Sequence, residues 1–327
     1  MTQLPTELPT RLQNSATIRR AYPTILSLEQ AAHNHVDSRR LIYARILGYL
    51  LLEGPSDQAR TTVASEVISR QQNEDDVTAI GKAYYDHYIR AFKMNKGDTP
   101  ESSSHPSRQS LETKTMENTL VDDPKDHADA KAKALKRDGF RCVITGAYDN
   151  TSLEHEPELK MIPQADNAWA TITRCTHIFG ESTNSGISGD NMGGAKHQYA
   201  APVWAVMRHF GYTKIPAELD GARIHRLENV FTLESGAHGL FDQLHLWLEP
   251  TDVPGTYTLQ ASNPTYIAPH FRRTVVFTTP DRDKYPPPSP DYLAIHAACA
   301  RVAHLSGAGR PFCRGAGTCA HAADSRS

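Results

Sequence analysis

The sequence predicts an α+β protein, with helices in the N-terminal part and short strands mixed with helices in the C-terminal part. Apolar residues recur at helical spacing over residues 38–94, whereas they alternate with a period of two at several places after residue 140. Between these parts, residues 95–125 are rich in Ser, Thr, Pro, Asp and Lys, a composition that buries little apolar surface. With 327 residues, the chain is long enough for about two domains of roughly 150 residues each.

This pattern divides the chain into five segments. Residues 1–37 are polar and contain prolines, so we expect a loose N-terminus. Residues 38–94 form a helical region, and residues 95–125 a flexible linker. Residues 126–307 form the C-terminal domain, and residues 308–327, which lack apolar periodicity, are expected to be disordered.

The C-terminal domain is expected to alternate short strands with helices. A helix over "DHADAKAKALKRDGF" leads into a short strand at "FRCVITG" and a longer one at "AWATITRCTHIF". A helix then follows Pro202 and stops at Gly211. The segment "ENVFTLESGAHGLFDQLHLWLEP" is predicted as a loop, a short helix and a strand. Further strands are expected at "GTYTLQA" and "RTVVFTTP", and a closing helix is expected to be capped by Ser289.

Composition limits the function and the compartment. The net charge of −2 and the pI near 6.8 weigh against a generally basic nucleic-acid binder, although a local basic patch remains compatible with them. No run of about 18 apolar residues suggests a membrane span, and "MTQLPTELPT" does not resemble a secretory signal. The five cysteines have no CxxC spacing, so we expect an intracellular, reducing environment. The short stretch "KAKALKR" does not decide between nucleus and cytoplasm.

A set of polar residues in the C-terminal domain forms a candidate site. His177 ends a predicted strand, Asn229 lies in a predicted loop, His238 lies on a short helix, and Asp242 follows one helical turn later. Such an arrangement suits hydrolysis of a phosphodiester with one metal ion. A divalent cation neutralises charge on the phosphate and on the leaving oxygen, and a neutral imidazole accepts a proton from the attacking water.

Four segments together resemble a known family. "LKRDGFRCVITG", "RCTHIFGEST", "RLENVFTL" and "GAHGLFDQLHLWLEP" are similar, in this order, to the HNH endonuclease-type domain found widely in fungal proteins. The resemblance covers about residues 132–305. It implies a ββα-metal core, in which a two-stranded β-hairpin and a helix bind one divalent ion. Added strands and the closing helix would complete the domain.

The resemblance also implies roles for the candidate residues. His177 would be the general base, and Asn229 would position the base or its loop. His238 would bind the metal, and Asp242 would be a second ligand or an anchor behind the ligand. We expect one divalent ion, Mg²⁺ before Mn²⁺ or Zn²⁺, and nucleic acid, with DNA as the expected kind, as the substrate.

Two departures from the family keep other functions open. Thr176 precedes the base, where many metal-dependent members have an Asp or His that supplies a ligand, and the stretch between His177 and Asn229 is long for a compact core. The alternative is therefore a catalytically degenerate HNH-like domain that binds nucleic acid or a protein. A third possibility is that the helical region is the working part, as an interaction module.

A basic stretch precedes the candidate site. Lys133, Lys136 and Arg137 share one face of a predicted helix, and Arg141 follows it. These side chains are candidates for phosphate contacts, which would make nucleic-acid affinity sensitive to salt. The alternative is an ordinary solvated helix face.

Other residues near the site are predicted to be structural. His225 and His245 flank the motif and are expected at the surface or in packing contacts. Without CxxC partners, Cys142, Cys175 and Cys299 are expected to be small buried side chains rather than zinc ligands.

Overall fold

The computed structural model describes residues 1–33, 35–93, 124–156, 159, 169–183 and 195–309. These residues form an α+β structure, which confirms the predicted fold class. Nearly all of the predicted linker at 95–125 and of the predicted disordered tail at 308–327 lies outside them. Within the described part of the chain, no helix combines the length and the apolar character that a membrane crossing requires.

The described residues contain helices and short strands. The helices are α1 (Thr10–Gln13), α2 (Ala16–His33), α3 (Arg39–Glu53), α4 (Asp57–Arg70), α5 (Glu74–Tyr84), α6 (Arg90–Phe92), α7 (His127–Arg137), α8 (Asn150–His155), α9 (Ala195–His209), α10 (Ile215–Glu218), α11 (Ser235–Asp242) and α12 (Pro290–Ser306). The strands are β1 (Tyr148–Asp149), β2 (Ala170–Thr171), β3 (Thr173–His177), β4 (Val230–Glu234), β5 (Leu246–Pro250), β6 (Thr256–Ala261) and β7 (Thr274–Val276). A π-helical turn, Tyr85–Ile89, joins α5 to α6.

The N-terminal segment is ordered, so the prediction of a loose chain over residues 1–37 is wrong. Helix α2 packs against α3 and α4 with a stripe of apolar residues. Glu29 of α2 is buried, and its Oε1 accepts hydrogen bonds from Arg45 Nε at 2.6 Å and from the Leu4 amide at 3.2 Å. Because the segment is polar in its overall composition, the composition did not reveal the apolar stripe on α2. This stripe comprises Ile18, Tyr22, Ile25, Leu28 and Ala32.

The N-terminal helices and the C-terminal part share one apolar core. Helix α3 packs against α12, and the Tyr88 hydroxyl donates to the Ile295 carbonyl at 3.1 Å. The Ser56 hydroxyl donates to the Phe210 carbonyl at 2.6 Å. The helical region is therefore not an independent arm, because burial of its apolar face depends on the C-terminal helices.

Two local predictions in the C-terminal domain are wrong. "FRCVITG" forms a turn rather than a strand: Gly146 has a φ of +76°, and its amide donates to the Cys142 carbonyl at 2.8 Å. The strand beside it is β1, which pairs in parallel with β2. The second error concerns "NVFTLE", predicted as a loop, since all five residues of β4 are buried in a strand. All five residues are buried, the polar Thr232 and Glu234 included, so burial does not alternate along this strand.

Strands β3 and β4 form the antiparallel pair that carries the candidate site. Their register pairs Thr173 with Glu234 and His177 with Val230. Helix α11 begins directly after β4, and α7 packs against both strands. Cys175 lies beneath α7 in a small apolar cluster with Ala130, Ala134, Leu227 and Val230. The unit is thus two paired strands followed by a helix, although more than fifty residues separate the strands in sequence.

The remaining elements frame this unit. Strands β5, β6 and β7 form an antiparallel sheet, as the two further predicted strands suggested. Helix α12 is the predicted closing helix, and Ser289 caps it by accepting from the Tyr292 amide. Helix α9 begins before Pro202, at Ala195, and ends before Gly211, whose φ of +93° suits a helix stop.

Candidate active site

His177 lies at the end of β3 in a group of imidazoles. Only 7% of the residue is exposed, and its Nε2 lies 3.1 Å from Nδ1 of His225. The His127 ring, at the start of α7, stacks on the His177 ring at a centroid distance of 5.5 Å. Helix α7 and the 3₁₀ turn over residues 221–225 therefore bring imidazoles to the base that the sequence predicted.

This environment keeps His177 uncharged. Burial, together with positive charge on His127, His225 and His238, lowers the pKa of His177 to about 3. The ring is therefore neutral near pH 7 and carries a lone pair on one nitrogen. A neutral imidazole of this kind is able to accept a proton or to bind a metal ion.

Asn229 fixes the chain that follows His177. It is fully buried, and its side-chain Oδ1 accepts from the Phe179 amide at 2.9 Å. Its Nδ2 donates to the Phe179 carbonyl at 3.0 Å and to the Ile224 carbonyl at 2.8 Å. Asn229 thus connects the turn after β3 to the segment that carries His225, and these contacts go to backbone atoms rather than to the His177 ring.

His238 and Asp242 lie together on α11. The Nε2 atom of His238 is 3.3 Å from Oδ2 of Asp242, and the carboxylate is mostly buried. Neighbouring ligand atoms around one Mg²⁺ or Zn²⁺ are separated by roughly 3 Å, so this pair has the spacing and the donor types of two metal ligands. The pair therefore fits the divalent ion that the resemblance implies.

The charge of His238 contributes to the lowered pKa of His177, so the two residues lie near each other. The structure thus brings together the predicted residues of β3, of the turn before β4 and of α11. Their predicted roles in catalysis and in metal binding stay proposals.

Three residues that contact or surround His177 were missed or misassigned. His225, predicted to be a surface or packing residue, faces His177, and its Nδ1 is also 3.9 Å from Oε1 of Glu181. His127 begins the helix that covers β3. The sequence placed two of these residues close to predicted site residues: Glu181 follows His177 by four residues, and His225 precedes Asn229 by four. By contrast, His245 is a packing residue as predicted, with Nδ1 2.9 Å from the Ser262 hydroxyl.

The basic stretch is only partly available to a ligand. Arg137 is 2% exposed, and its guanidinium donates to the Leu227, Val230 and Pro286 carbonyls and to the Asp138 carboxylate. These bonds use its donors inside the protein, so the prediction that Arg137 contacts phosphate is wrong.

The other basic residues are nearer the surface. Lys133 pairs with Asp129 at 3.1 Å, and the Arg141 guanidinium lies 3.9 Å from the centroid of the Tyr148 ring. Lys136 is partly exposed. Lys133, Lys136 and Arg141 therefore remain candidates for phosphate contacts.

Thr176 does not replace the ligand that many family members have before the base. It is fully buried, and its hydroxyl has no hydrogen-bond partner among the described residues. Because successive side chains of a strand point to opposite faces, Thr176 faces away from the side on which His177 lies. The buried state of Cys142, Cys175 and Cys299 agrees with the prediction for these side chains.

The comparison with protein families agrees with the site. Residues 142–249, about a third of the chain, match the family model described as HNH endonuclease. The matched residues include β3, β4 and α11. The match supports an HNH-type domain in the C-terminal half and a nuclease-like function related to nucleic acid. No curated protein and no solved structure matches the chain significantly.

Proposed function

We propose that the C-terminal domain hydrolyses phosphodiester bonds of nucleic acid, with DNA as the first substrate to test. The observation that carries the proposal is the β3–β4–α11 unit inside the region that matches HNH endonucleases. His177 ends the first strand, Asn229 precedes the second, and His238 lies on the helix that follows. This order of elements and side chains supports the ββα-metal core that the resemblance to HNH domains implies.

In this proposal, His177 is the general base. Its Nε2 contacts His225 Nδ1, which fixes the orientation of the ring and leaves the other nitrogen, Nδ1, to accept a proton from water. The ring is neutral in the resting protein because of its burial. A phosphate anion beside it would raise its pKa, since an opposite charge favours the imidazolium form. Substrate binding would therefore strengthen the base.

His238 and Asp242 would hold the divalent ion. Their nitrogen and carboxylate donors accept Mg²⁺, with Mn²⁺ or Zn²⁺ as alternatives. When bound, such an ion supplies charge neutralisation at the phosphate and at the leaving oxygen. Asn229 keeps the loop after β3 in place, and Lys133, Lys136 and Arg141 would contact phosphates on the side of α7.

Cleavage of supercoiled plasmid by the full chain tests the proposal. We expect nicked or linear product with Mg²⁺ or Mn²⁺, and none after removal of metal by a chelator. His238→Ala should abolish the metal-dependent cleavage, whereas His209→Ala, a change at an exposed histidine on the end of α9, should leave it intact. Cleavage that survives both the chelator and His238→Ala would contradict the proposed metal site.

One observation favours a second candidate function, a binding module without catalysis. Thr176 is buried and supplies no ligand, and His177 is only 7% exposed, which limits access to the base. In that case the chain should bind DNA or RNA in a mobility-shift assay with a salt-dependent affinity, but no metal should produce cleavage.

A further inference from the structure

We infer that His177, His225 and Glu181 form a second metal site, selective for a transition metal ion such as Zn²⁺. It is distinct from the His238 and Asp242 pair proposed for the hydrolytic ion. One nitrogen from each imidazole and one carboxylate oxygen all lie within 4.8 Å of one another. The three side chains come from β3, from the turn after it and from the 3₁₀ turn over residues 221–225.

The distances match those of a coordination shell. Ligand atoms at 2.0–2.1 Å from a tetrahedral Zn²⁺ lie about 3.3 Å apart. The His177 Nε2 to His225 Nδ1 distance is 3.1 Å, and the His225 Nδ1 to Glu181 Oε1 distance is 3.9 Å. A cation between these atoms would therefore need only small side-chain movements. A hydrogen bond between the imidazoles also explains the 3.1 Å distance, so metal binding itself is what requires a test.

The donor set selects the kind of ion. Two imidazoles and one carboxylate suit Zn²⁺, Fe²⁺ or Ni²⁺, whereas Mg²⁺ prefers oxygen ligands and retains waters. Three protein ligands leave the fourth position of a tetrahedral ion to water.

The site is accessible from one side. The Glu181 side chain is 53% exposed and that of His225 is 14% exposed, so an ion is able to enter from solvent past the carboxylate. A second group, His127, Cys175 and His177, is also close enough to share an ion. Its sulfur, however, belongs to the apolar cluster beneath α7, where access is closed. The group that contains Glu181 is therefore the better site.

Occupation of this site would have a consequence for catalysis, and this step rests on the proposed function. A nitrogen of His177 bound to Zn²⁺ holds the base ring in the metal shell and makes the ring a poor proton acceptor. Zn²⁺ should therefore inhibit the cleavage that Mg²⁺ supports. Glu181→Gln removes one ligand without touching the base, and it should relieve the inhibition.

Calorimetric titration of the full chain with Zn²⁺ in excess Mg²⁺ tests the site directly. We expect Glu181→Gln to weaken Zn²⁺ binding by about 100-fold or more, since loss of even an outer-shell partner costs 10- to 100-fold. His225→Gln should do the same. His238→Gln, which alters only the other proposed metal pair, should retain the tight Zn²⁺ site. Substitution of Co²⁺ should give visible absorption bands of a tetrahedral imidazole site, lost in Glu181→Gln.

The outcomes separate the two proposals. Equal Zn²⁺ affinity in wild type, Glu181→Gln and His225→Gln would overturn the second site. Because Glu181 is exposed, that variant should fold normally, and its thermal unfolding without metal provides the check. If no cleavage is observed with any ion but Zn²⁺ binding depends on Glu181, the proposed function fails while the metal site stands. If Mg²⁺-supported cleavage is equally inhibited by Zn²⁺ in wild type and Glu181→Gln, the inhibitory role is refuted.

Discussion

At the residue scale, the sequence points to His177 and His238 as candidate site residues, but it does not point to the side chains that contact His177. His177, Asn229 and His238 are predicted as site residues because each lies in a short motif whose order carries information. His225 was misassigned because its contact with His177 joins residues 48 positions apart, which no local pattern reports. Arg137 was assigned to phosphate contact because helical spacing shows which side chains share a face of the helix. Spacing does not show which part of that face the rest of the chain buries.

Asn229→Ala should destabilise the protein strongly. The change leaves the Phe179 amide and the Phe179 and Ile224 carbonyls without their buried partner, and each buried unsatisfied group costs about 1–3 kcal/mol. We expect the free energy of unfolding to fall by at least about 3 kcal/mol in urea titrations. The matched control, Asn263→Ala, removes an exposed cap of a short turn and should cost about 1 kcal/mol or less. Equal losses in the two variants would mean that Asn229 is not the anchor described here.

At the element scale, α7 has both a structural and a surface role. Its N-terminal residue His127 stacks on His177, and its last residue Arg137 is bonded to carbonyls at both ends of the turn before β4. The helix was correctly predicted over this segment, and its packing partner was not. The same limit explains β4, whose uniform burial has no period of two, and the turn at residues 140–146, where Cys142 and Ile144 are buried and Arg141 forms an isolated bridge with Tyr148 instead of a strand.

Two substitutions on α7 should separate these roles. Arg137→Met leaves the buried Asp138 carboxylate without its cation, and we expect a loss of about 3–5 kcal/mol in unfolding free energy. Lys136→Met, one residue earlier, should change stability little. It should lower the slope of log DNA affinity against log salt by the contribution of about one phosphate contact. Chemical denaturation and binding at several salt concentrations measure both effects. A stable Arg137→Met protein with weakened DNA binding would instead support the original assignment of Arg137 to phosphate.

At the scale of the whole molecule, the helical region and the HNH-type domain form one packed structure. The sequence suggested two parts joined by a linker, and the composition of residues 95–125 was the reason. What it could not show is that α3 and the π-helical turn pack on α12, because these contacts join residues about 200 positions apart. The N-terminal helices are therefore part of the scaffold beneath the site, and we expect one cooperative unfolding transition.

A buried histidine in this shared core should make stability depend on pH. His296 of α12 is 1% exposed, its ring stacks on Phe241 at 3.8 Å, and burial lowers its pKa to about 3. The unfolded chain has a pKa near 6.5 at this position, so below pH 6.5 it binds a proton that the folded protein excludes. This contribution to stability is fully present above pH 6.5 and is lost as the pH falls, by about 1.4 kcal/mol per pH unit.

His296→Phe retains the aromatic stack and removes the titration. We expect the slope of unfolding free energy between pH 5.5 and 4 to decrease by about 1.3 kcal/mol per pH unit relative to wild type. His177 should still contribute its own slope, since burial lowers its pKa as well. The control is His209→Phe at the exposed end of α9. An unchanged slope in the His296 variant would show that this ring is able to take up a proton in the folded state.

The central claim is that His177 is the base of a metal-dependent nuclease, and single-turnover cleavage of DNA by His177→Ala in Mg²⁺ tests it most directly. We expect the rate to fall by about 10²- to 10⁴-fold, the usual contribution of a general base, while DNA binding by the variant remains. His209→Ala, prepared in the same way, should cleave at the wild-type rate. Cleavage by His177→Ala at the wild-type rate, with the same dependence on Mg²⁺, would contradict the claim.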